Sequence, residues 1–137
     1  MATTATKERY IETVGRRKTA IARVRMTPGA ARTDVKVNNK DVNDYFVTEP
    51  LRVTALEPFL KVSVPTQFEI TVTVSGGGIA GQAVAVRHAL SRALEDYDKT
   101  LRGVLKAEGF LKRDPRAKER RKPGLLKARK RKQWSKR

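Results

Sequence analysis

Hydrophobic and polar residues alternate in two stretches of this 137-residue chain. Between Thr19 and Met26, alanine, valine and methionine take every second position and arginines stand between some of them. Between Phe68 and Val74, large apolar residues alternate with Glu and Thr. A period of two predicts strands with one buried face. Shorter strands are predicted over 7–14 and 33–37.

Turn-forming residues separate these predicted strands. Gly15–Lys18 predicts the turn of a hairpin between the first two strands, with arginines on the outer face of the second. Thr27–Gly29 ends that second strand, and Asn38 and Asn39 predict a turn after the third. Ser75–Gly78 ends the strand that begins at Phe68.

From about Gly81 to Tyr97 the period changes to that of a helix. One arc of this helix is predicted to face the core, and it comprises Ala83, Val86, Leu90, Ala93, Leu94 and Tyr97. The opposite side carries Arg87, His88, Ser91 and Arg92.

Three shorter helices are also predicted. Asp41 is placed to cap a brief helix through Tyr45 and Phe46. A second helix covers residues 51–57 and is expected to stop near Pro58, and Asp98 caps a third that ends at Gly109. This order of elements predicts the α+β class, a mixed sheet of about four strands with helices packed on one face.

The net charge of +17 is concentrated at one end of the chain. Residues 112–137 hold 14 basic and two acidic side chains and only five apolar ones. Such a segment cannot bury enough surface to offset the entropy of ordering it. We therefore predict a flexible N-terminus over 1–9, a globular domain over 10–111 and an extended basic tail over 112–137.

Composition excludes several classes of protein. Cysteine is absent and histidine occurs once, so a disulfide framework, a zinc-thiolate site and a multi-histidine metal site are excluded. No apolar run approaches the ~20 residues of a membrane span, and residues 1–6 do not resemble a secretion signal. We predict a cytoplasmic protein without metal, cofactor, membrane contact or homo-oligomer, and with a polyanionic partner.

A glycine cluster, Gly76–Gly81, follows a strand and precedes a helix in the pattern G-x-G-x-x-G. A dinucleotide site would need a second parallel strand after the helix, and none is predicted. A phosphate-binding P-loop would need Lys and Ser or Thr where Gln82 and Ala83 stand. Two interpretations stay open, a tight strand-to-helix turn and a turn whose exposed amides meet a nucleic-acid phosphate.

No catalytic centre is evident in the sequence. His88 is surrounded by arginines, which disfavour its protonation, and helix spacing does not bring His88, Ser91 and Asp96 together as a triad. We therefore interpret His88 as a polar surface or RNA-facing residue and the chain as a non-enzyme. An enzyme that uses the glycine cluster to bind a nucleotide is the remaining catalytic alternative.

Three basic clusters favour a nucleic-acid partner. They are the hairpin (Arg16, Arg17, Lys18, Arg23 and Arg25), the helix face (Arg87 and Arg92) and the tail. Arginine forks suit phosphate, and the scarcity of aromatic residues argues against base stacking on single strands. Folded RNA fits best, and a DNA-compacting architectural protein is the alternative.

Four motifs, in this order along the chain, resemble the small-subunit ribosomal protein nine family. They are Val14–Val24 (VGRRKTAIARV), Gly76–Ala83 with Arg87–Leu94 (GGGIAGQA, RHALSRAL), Arg113–Gly124 (RDPR, ERRKPG) and the end of the chain (ARK, SKR). The resemblance runs from about Tyr10 to Arg137, and the terminus is typical of the bacterial or organellar branch.

The resemblance implies a ribosomal-protein-five domain-two-like fold with a left-handed βαβ crossover. It also implies binding to 16S-type ribosomal RNA in the head of the small subunit, beside other head proteins. The tail tip is expected to contact peptidyl-site transfer RNA through Ser135, Lys136 and Arg137. The expected ribosomal-RNA-binding residues are Arg16, Arg17, Lys18, Arg23, Arg25, Gly76, Gly77, Gly78, Gln82, Arg87, His88, Arg92, Arg113, Arg116, Arg120, Arg121, Lys122, Arg129 and Lys130.

Overall fold

The computed structural model describes residues 9–136. Arg137 and most of the segment predicted to be flexible, residues 1–8, lie outside the described residues. The strands are β1 (Ile11–Arg17), β2 (Ala20–Pro28), β3 (Asp34–Val37), β4 (Lys40–Asp41) and β5 (Phe68–Ser75). The helices are α1 (Val42–Tyr45), α2 (Glu49–Lys61), α3 (Ile79–Tyr97) and α4 (Arg102–Ala107), the last preceded by a 3₁₀ turn over Lys99–Leu101.

The five strands form one mixed sheet in the order β1-β2-β5-β3-β4. Only the β3–β5 pair is parallel, and α1 and α2 lie in the connection between these two strands. The predicted α+β class with helices on a mixed sheet is confirmed. The left-handed sense of the β3-to-β5 crossover stays a prediction.

The predicted alternation is confirmed in β2 and β5. Ala20, Ala22, Val24 and Met26 are fully buried on one face, while Arg23 and Arg25 are exposed on the other. Burial in β5 alternates in the same way. These buried rows pack against α3 and form the centre of the core.

The hairpin turn lies further along the chain than predicted. Gly15, Arg16 and Arg17 belong to β1, and the turn consists of Lys18 and Thr19. A Cβ atom at Gly15 would lie 2.0 Å from the carbonyl oxygen of Ala85 in α3. This glycine therefore allows β1 to pass close to α3, and it does not form the turn.

Three other predictions are corrected in detail. The sheet has a fifth strand, β4, because the chain pairs back on β3 after Asn38 and Asn39. Helix α2 continues through Pro58 to Lys61, since Pro58 is buried against the core and its packing offsets the missing backbone donor. Helix α3 begins at Ile79, two residues before its predicted start.

Helix capping follows the sequence closely. The Asp41 carboxylate accepts a hydrogen bond from the amide of Asn43 at 2.8 Å, and α1 begins at Val42. The Asp98 carboxylate accepts one from the amide of Thr100 at 2.9 Å, and the 3₁₀ turn and α4 follow it. Both predicted caps are confirmed.

Helix α3 is buried on two sides. The predicted arc is buried except for Tyr97, which is partly exposed and stacks edge-on against Phe68. Ala85 and Ala89 add a second buried face toward β1. Ser91 was expected on the polar side but is fully buried, and its hydroxyl donates to the carbonyl of Arg87 at 2.8 Å. A small side chain with an internal hydrogen bond satisfies such a position.

Candidate nucleic-acid interface

The glycine cluster forms a tight turn against the β1–β2 hairpin. Gly76 and Gly77 have positive φ angles of 72° and 64°. A Cβ atom at Gly76 would lie 2.6 Å from the carbonyl oxygen of Thr19, and one at Gly77 would lie 3.0 Å from the amide nitrogen of Ala20. The tight-turn interpretation therefore accounts for both glycines, while Gly78 faces open space at the start of α3.

Gln82 holds this turn in place. Its Nε2 donates to the carbonyl of Gly76 at 3.0 Å, and its Oε1 accepts a hydrogen bond from the hydroxyl of Tyr45 at 2.6 Å. Both ends of the amide are therefore engaged within the fold. Beyond α3, residues 98–136 contain no strand, so the second strand of a dinucleotide fold does not follow.

A basic cleft lies at the β1 edge of the sheet. It brings together the end of β1, the middle of α3 and the segment after α4, and one part of it has a volume of about 260 Å³. We call it the basic cleft. Its charged and polar lining consists of Arg16, Arg17, Arg87, His88, Arg92, Lys112 and Arg113, with Asp114 at one end. Three segments that are far apart in sequence thus form one positive surface.

The arginines of α3 are fixed by contacts on the cleft wall. Arg92 donates to the carbonyl of Val14 on the edge strand at 2.5 Å. Arg87 pairs with the carboxylate of Glu57 at 3.0 Å, and its guanidinium lies 5.5 Å from the ring centre of Phe110. These contacts position both side chains before any partner binds.

His88 is half-buried in the wall of the basic cleft. Its Nδ1 lies 3.1 Å from the carbonyl oxygen of Phe110, which accepts the hydrogen bond. Burial lowers the pKa of His88, the hydrogen bond with Phe110 partly offsets this, and the charges of Arg92, Arg113 and Arg87 lower the pKa further. The prediction that its cation is disfavoured agrees with this direction, although burial is the larger cause.

The outer face of the hairpin carries the other predicted arginines. Arg25 pairs with the carboxylate of Glu12 at 2.7 Å, and its guanidinium lies 5.1 Å from the ring centre of Tyr10. Arg23 is exposed on the neighbouring row between Val14 and Thr73. Val14 and Arg16 belong to the same face and also line the basic cleft, so the outer face adjoins the cleft at the edge of the sheet.

Arg17 connects the hairpin to the start of the tail. Its side chain is only 16% exposed, its Nη2 lies 3.2 Å from the Asp114 carboxylate, and its Nη1 donates to the carbonyl of Arg116 at 2.5 Å. Arg116 in turn donates to the same carboxylate through its side chain and its amide, at 2.9–3.1 Å. We call these three residues, Arg17, Asp114 and Arg116, the tail anchor.

The tail anchor is charged at neutral pH. Hydrogen bonds from Arg116, with the nearby charge of Arg17 adding to them, lower the pKa of Asp114 to about 2. A lowered carboxyl pKa means that the anchor is complete above the ordinary pKa of Asp and is lost only as the pH falls through about 2. The anchor therefore fixes the direction in which the tail leaves the domain under cellular conditions.

Beyond the anchor the described tail contains no helix or strand. Glu119 accepts hydrogen bonds from Lys122 and Arg129 at 2.9 and 2.8 Å, which draws this part of the tail into a loop. The remaining predicted tail residues, Arg120, Arg121, Lys130, Ser135 and Lys136, are exposed, and Arg137 lies outside the described residues.

Several functional features were missed in the sequence. Lys112 lines the basic cleft although only its neighbour Arg113 was predicted. Arg17 was expected to meet RNA, but it is mostly buried in the tail anchor. The one acidic side chain between Arg113 and Arg116 is the signal that could have indicated this ion pair.

Within the part of the chain that the structure describes, neither a membrane span nor a metal centre is found. Among the helices described, none combines the length and the apolar character needed to cross a bilayer. Residues 9–136 also hold no group of three or more His, Asp or Glu side chains arranged to bind a metal ion.

A known protein family matches most of the chain, including the residues of the basic cleft and of the tail. The profile of the family described as Ribosomal protein S9/S16 matches residues 15–137, which include the hairpin turn, the glycine turn, α3 and the tail. The chain therefore belongs to the ribosomal protein S9/S16 family and is a structural, non-enzymatic protein of the small ribosomal subunit, with ribosomal RNA and other ribosomal proteins as partners.

Proposed function

We propose that the basic cleft, the outer arginines of the hairpin and the tail bind ribosomal RNA in the head of a cytoplasmic small subunit. We further propose that the tail tip contacts peptidyl-site transfer RNA through Ser135, Lys136 and Arg137. The domain selects the docking place, and the tail carries charge away from it.

One observation carries the ribosomal-RNA part of this proposal. The cleft gathers positive side chains from β1, α3 and residues 112–113, and its walls hold several of them in fixed orientations. Guanidinium groups that are already held in place lose little conformational entropy when they bind phosphates, so they suit the backbone of a folded RNA. Glu57 and Asp114 each neutralise one side of the cleft, so Arg16, Arg113 and Lys112 supply much of its unpaired charge among the described residues.

We expect the double substitution Arg16→Gln and Arg113→Gln to weaken binding to a small-subunit head RNA fragment at least tenfold. Two lost phosphate contacts should also make the slope of log affinity against log salt less negative by about two. Filter binding or fluorescence anisotropy at several salt concentrations measures both quantities.

The matched control is Lys36→Gln with Lys40→Gln, which removes the same charge from the opposite edge of the sheet. Its salt slope should stay within error of that of the unsubstituted protein. Equal losses in the two double variants would mean that net charge alone determines binding and that the cleft has no special part in it.

The length of the tail supports the transfer-RNA part of the proposal. The tail anchor ends at Arg116, and the 20 residues from there to Lys136 can extend up to ~66 Å at ~3.3 Å per residue. A domain of about 100 residues has a radius of gyration of only ~13 Å. The tip can therefore act at a site well beyond the domain's own docking surface.

Deleting Lys136 and Arg137 is expected to leave subunit assembly intact and to lower the affinity for peptidyl-site transfer RNA about tenfold. Lys127→Gln with Lys132→Gln removes two charges from the same tail and keeps the tip, so this control should have a much smaller effect. Equilibrium binding of transfer RNA to purified small subunits measures both variants. An unchanged affinity for the deletion at low and at physiological salt would show that the tip assignment is wrong.

The DNA-compacting alternative is disfavoured by the family and by the shape of the cleft. A cleft between a strand edge and a helix side offers no helix or ribbon to enter a duplex groove. Footprinting on the head RNA fragment and on duplex DNA of equal length separates the two possibilities, and we expect protection of the RNA alone at physiological salt.

A further inference from the structure

The tail carries a single aromatic residue, which takes no part in the basic cleft or the tail anchor. Trp134 is the only tryptophan of the chain and the only aromatic residue after Phe110. The residue is 100% exposed. An indole left in water forgoes the free energy that burial of its large apolar surface would release. A partner that covers the ring would recover this free energy.

The backbone bends at Trp134 and Ser135. The Nε2 of Gln133 donates to the carbonyl oxygen of Ser135 at 2.5 Å, so the two neighbours of Trp134 are joined across it. This hydrogen bond engages polar groups on either side of the indole and leaves the ring itself uncovered. The bend therefore presents a planar apolar surface that the chain does not use for its own packing.

The charge around Trp134 indicates what can cover the ring. Residues 129–137 hold six basic side chains and no acidic one, and Glu119, the last acidic residue of the chain, pairs with Arg129. A partner at Trp134 must therefore approach a strongly positive segment, which favours a polyanion. Ribosomal RNA is the polyanionic partner of this family.

Within an RNA, the nucleobases are the groups that suit an exposed indole. The faces of unstacked bases are planar and apolar, and proteins bind them by stacking aromatic side chains on them. The scarcity of aromatic residues argues against a platform for several bases, but one ring is enough for one base. Basic residues on both sides of the ring, among them Lys132 and Lys136, are placed to bind the phosphates next to that base.

We propose that Trp134 binds an unpaired nucleobase of RNA by stacking, at the place where the tail tip binds. The base belongs either to ribosomal RNA or to the transfer RNA at the tip. This inference rests on the proposed function, because it needs the tip to lie against RNA. It adds a contact with a base to a tail whose other proposed contacts are with phosphates.

Substitutions that keep the charge of the tail separate stacking from electrostatic attraction. We expect Trp134→Leu to lower the affinity for RNA about tenfold, because leucine has no planar ring to stack on a base. Trp134→Phe keeps a ring and should lose at most about threefold. The slope of log affinity against log salt should stay the same in both variants, since neither removes a phosphate contact. The matched control, Leu126→Ala, shortens an exposed apolar side chain of the same tail and should leave the affinity unchanged.

Two binding measurements identify the RNA that supplies the base. The first uses the purified full-length protein with the head RNA fragment, and the second uses small subunits that contain each variant with peptidyl-site transfer RNA. A tenfold loss for Trp134→Leu in the first measurement assigns the base to ribosomal RNA, and a loss in the second assigns it to transfer RNA. Unchanged affinity in both would overturn the proposal. Equal losses for the Leu and Phe variants would overturn it too, because stacking by a ring would not be the property that matters.

The fluorescence of Trp134 reports on the ring directly, because the chain has no other tryptophan. We expect saturating head RNA fragment or saturating transfer RNA to quench the emission of the purified protein at least twofold. Inorganic polyphosphate is the matched control, since it carries the charge of an RNA backbone without bases, and it should leave the emission nearly unchanged. Equal quenching by polyphosphate and RNA would contradict stacking on a base.

Failure of this inference is distinguishable from failure of the proposed function. If deleting Lys136 and Arg137 weakens transfer-RNA binding while Trp134→Leu changes neither affinity, the tip binds RNA without stacking and only the inference is wrong. If the unsubstituted protein binds neither RNA, the proposed function itself is wrong.

Discussion

Replacing Gly15 by alanine is expected to destabilise the fold by about 3 kcal/mol or more. The new Cβ atom would lie 2.0 Å from the carbonyl oxygen of Ala85 and 2.5 Å from the amide nitrogen of Ala89. Both are backbone atoms of α3, so no change of rotamer relieves the overlap. Relief requires β1 to separate from α3, which would also strain the hydrogen bond from Thr13 to the carbonyl of Ala89.

Gly103→Ala is the matched control for this substitution. Gly103 lies in the first turn of α4, and a Cβ atom there meets no other atom within 4 Å. Alanine should therefore stabilise the protein by up to about 1 kcal/mol, because it favours helix. Urea unfolding followed by circular dichroism measures both variants. Equal midpoints for Gly15→Ala and the unsubstituted protein would show that β1 and α3 do not approach this closely.

Removing the tail beyond Ala117 is expected to change the salt dependence of RNA binding more than any single substitution. The deleted residues, 118–137, carry 11 basic side chains and one acidic one. If they neutralise about seven phosphates, the slope of log affinity against log salt should become less negative by about five. The intact protein would then lose about 10³ more affinity than the truncated one between 50 and 200 mM salt.

The truncation keeps Arg17, Asp114 and Arg116, so the tail anchor itself is unchanged. A variant with the residues of 118–137 in shuffled order keeps the charge and should keep the steep salt slope, while it loses contact with transfer RNA. Binding to the head RNA fragment and to peptidyl-site transfer RNA separates these two properties. A truncated protein with the full salt slope would show that the domain alone carries the electrostatic contribution.

Local patterns predicted most of the elements of this fold. The alternation in β2 and β5 depends only on which side of each strand is buried, and the caps at Asp41 and Asp98 depend on the next two residues. Such features are encoded within a few positions of the chain. Errors occurred where a distant contact decided the outcome.

Gly15 and Pro58 illustrate those distant contacts. A glycine followed by basic residues is typical of a turn, but here the glycine is required by a helix about 70 positions later. A proline usually ends a helix, but burial of Pro58 keeps α2 continuous. Neither partner is visible in the local sequence.

The sequence predicts which residues of the candidate site are basic, but it does not predict how the fold arranges them. Arg16, Arg87, Arg92 and Arg113 were recognised as basic residues, and the fold brings them together with Lys112 in one cleft. Arg17 and Gln82 have side chains of the same chemical types as true RNA ligands, yet both are engaged within the protein. Contacts within the fold decide which basic or amide groups remain available to a partner. Composition does not predict those contacts.

The tail anchor sets the local concentration of the tail tip. Once the domain is docked, a tip tethered at Arg116 cannot leave a sphere of radius ~66 Å, and one molecule in that volume corresponds to about 1 mM. A contact by Lys136 with a dissociation constant near 1 mM, too weak to form between free molecules, would therefore be about half occupied on the ribosome. Such a contact forms and breaks easily, which suits the exchange of the transfer RNA that we propose as the partner of the tip.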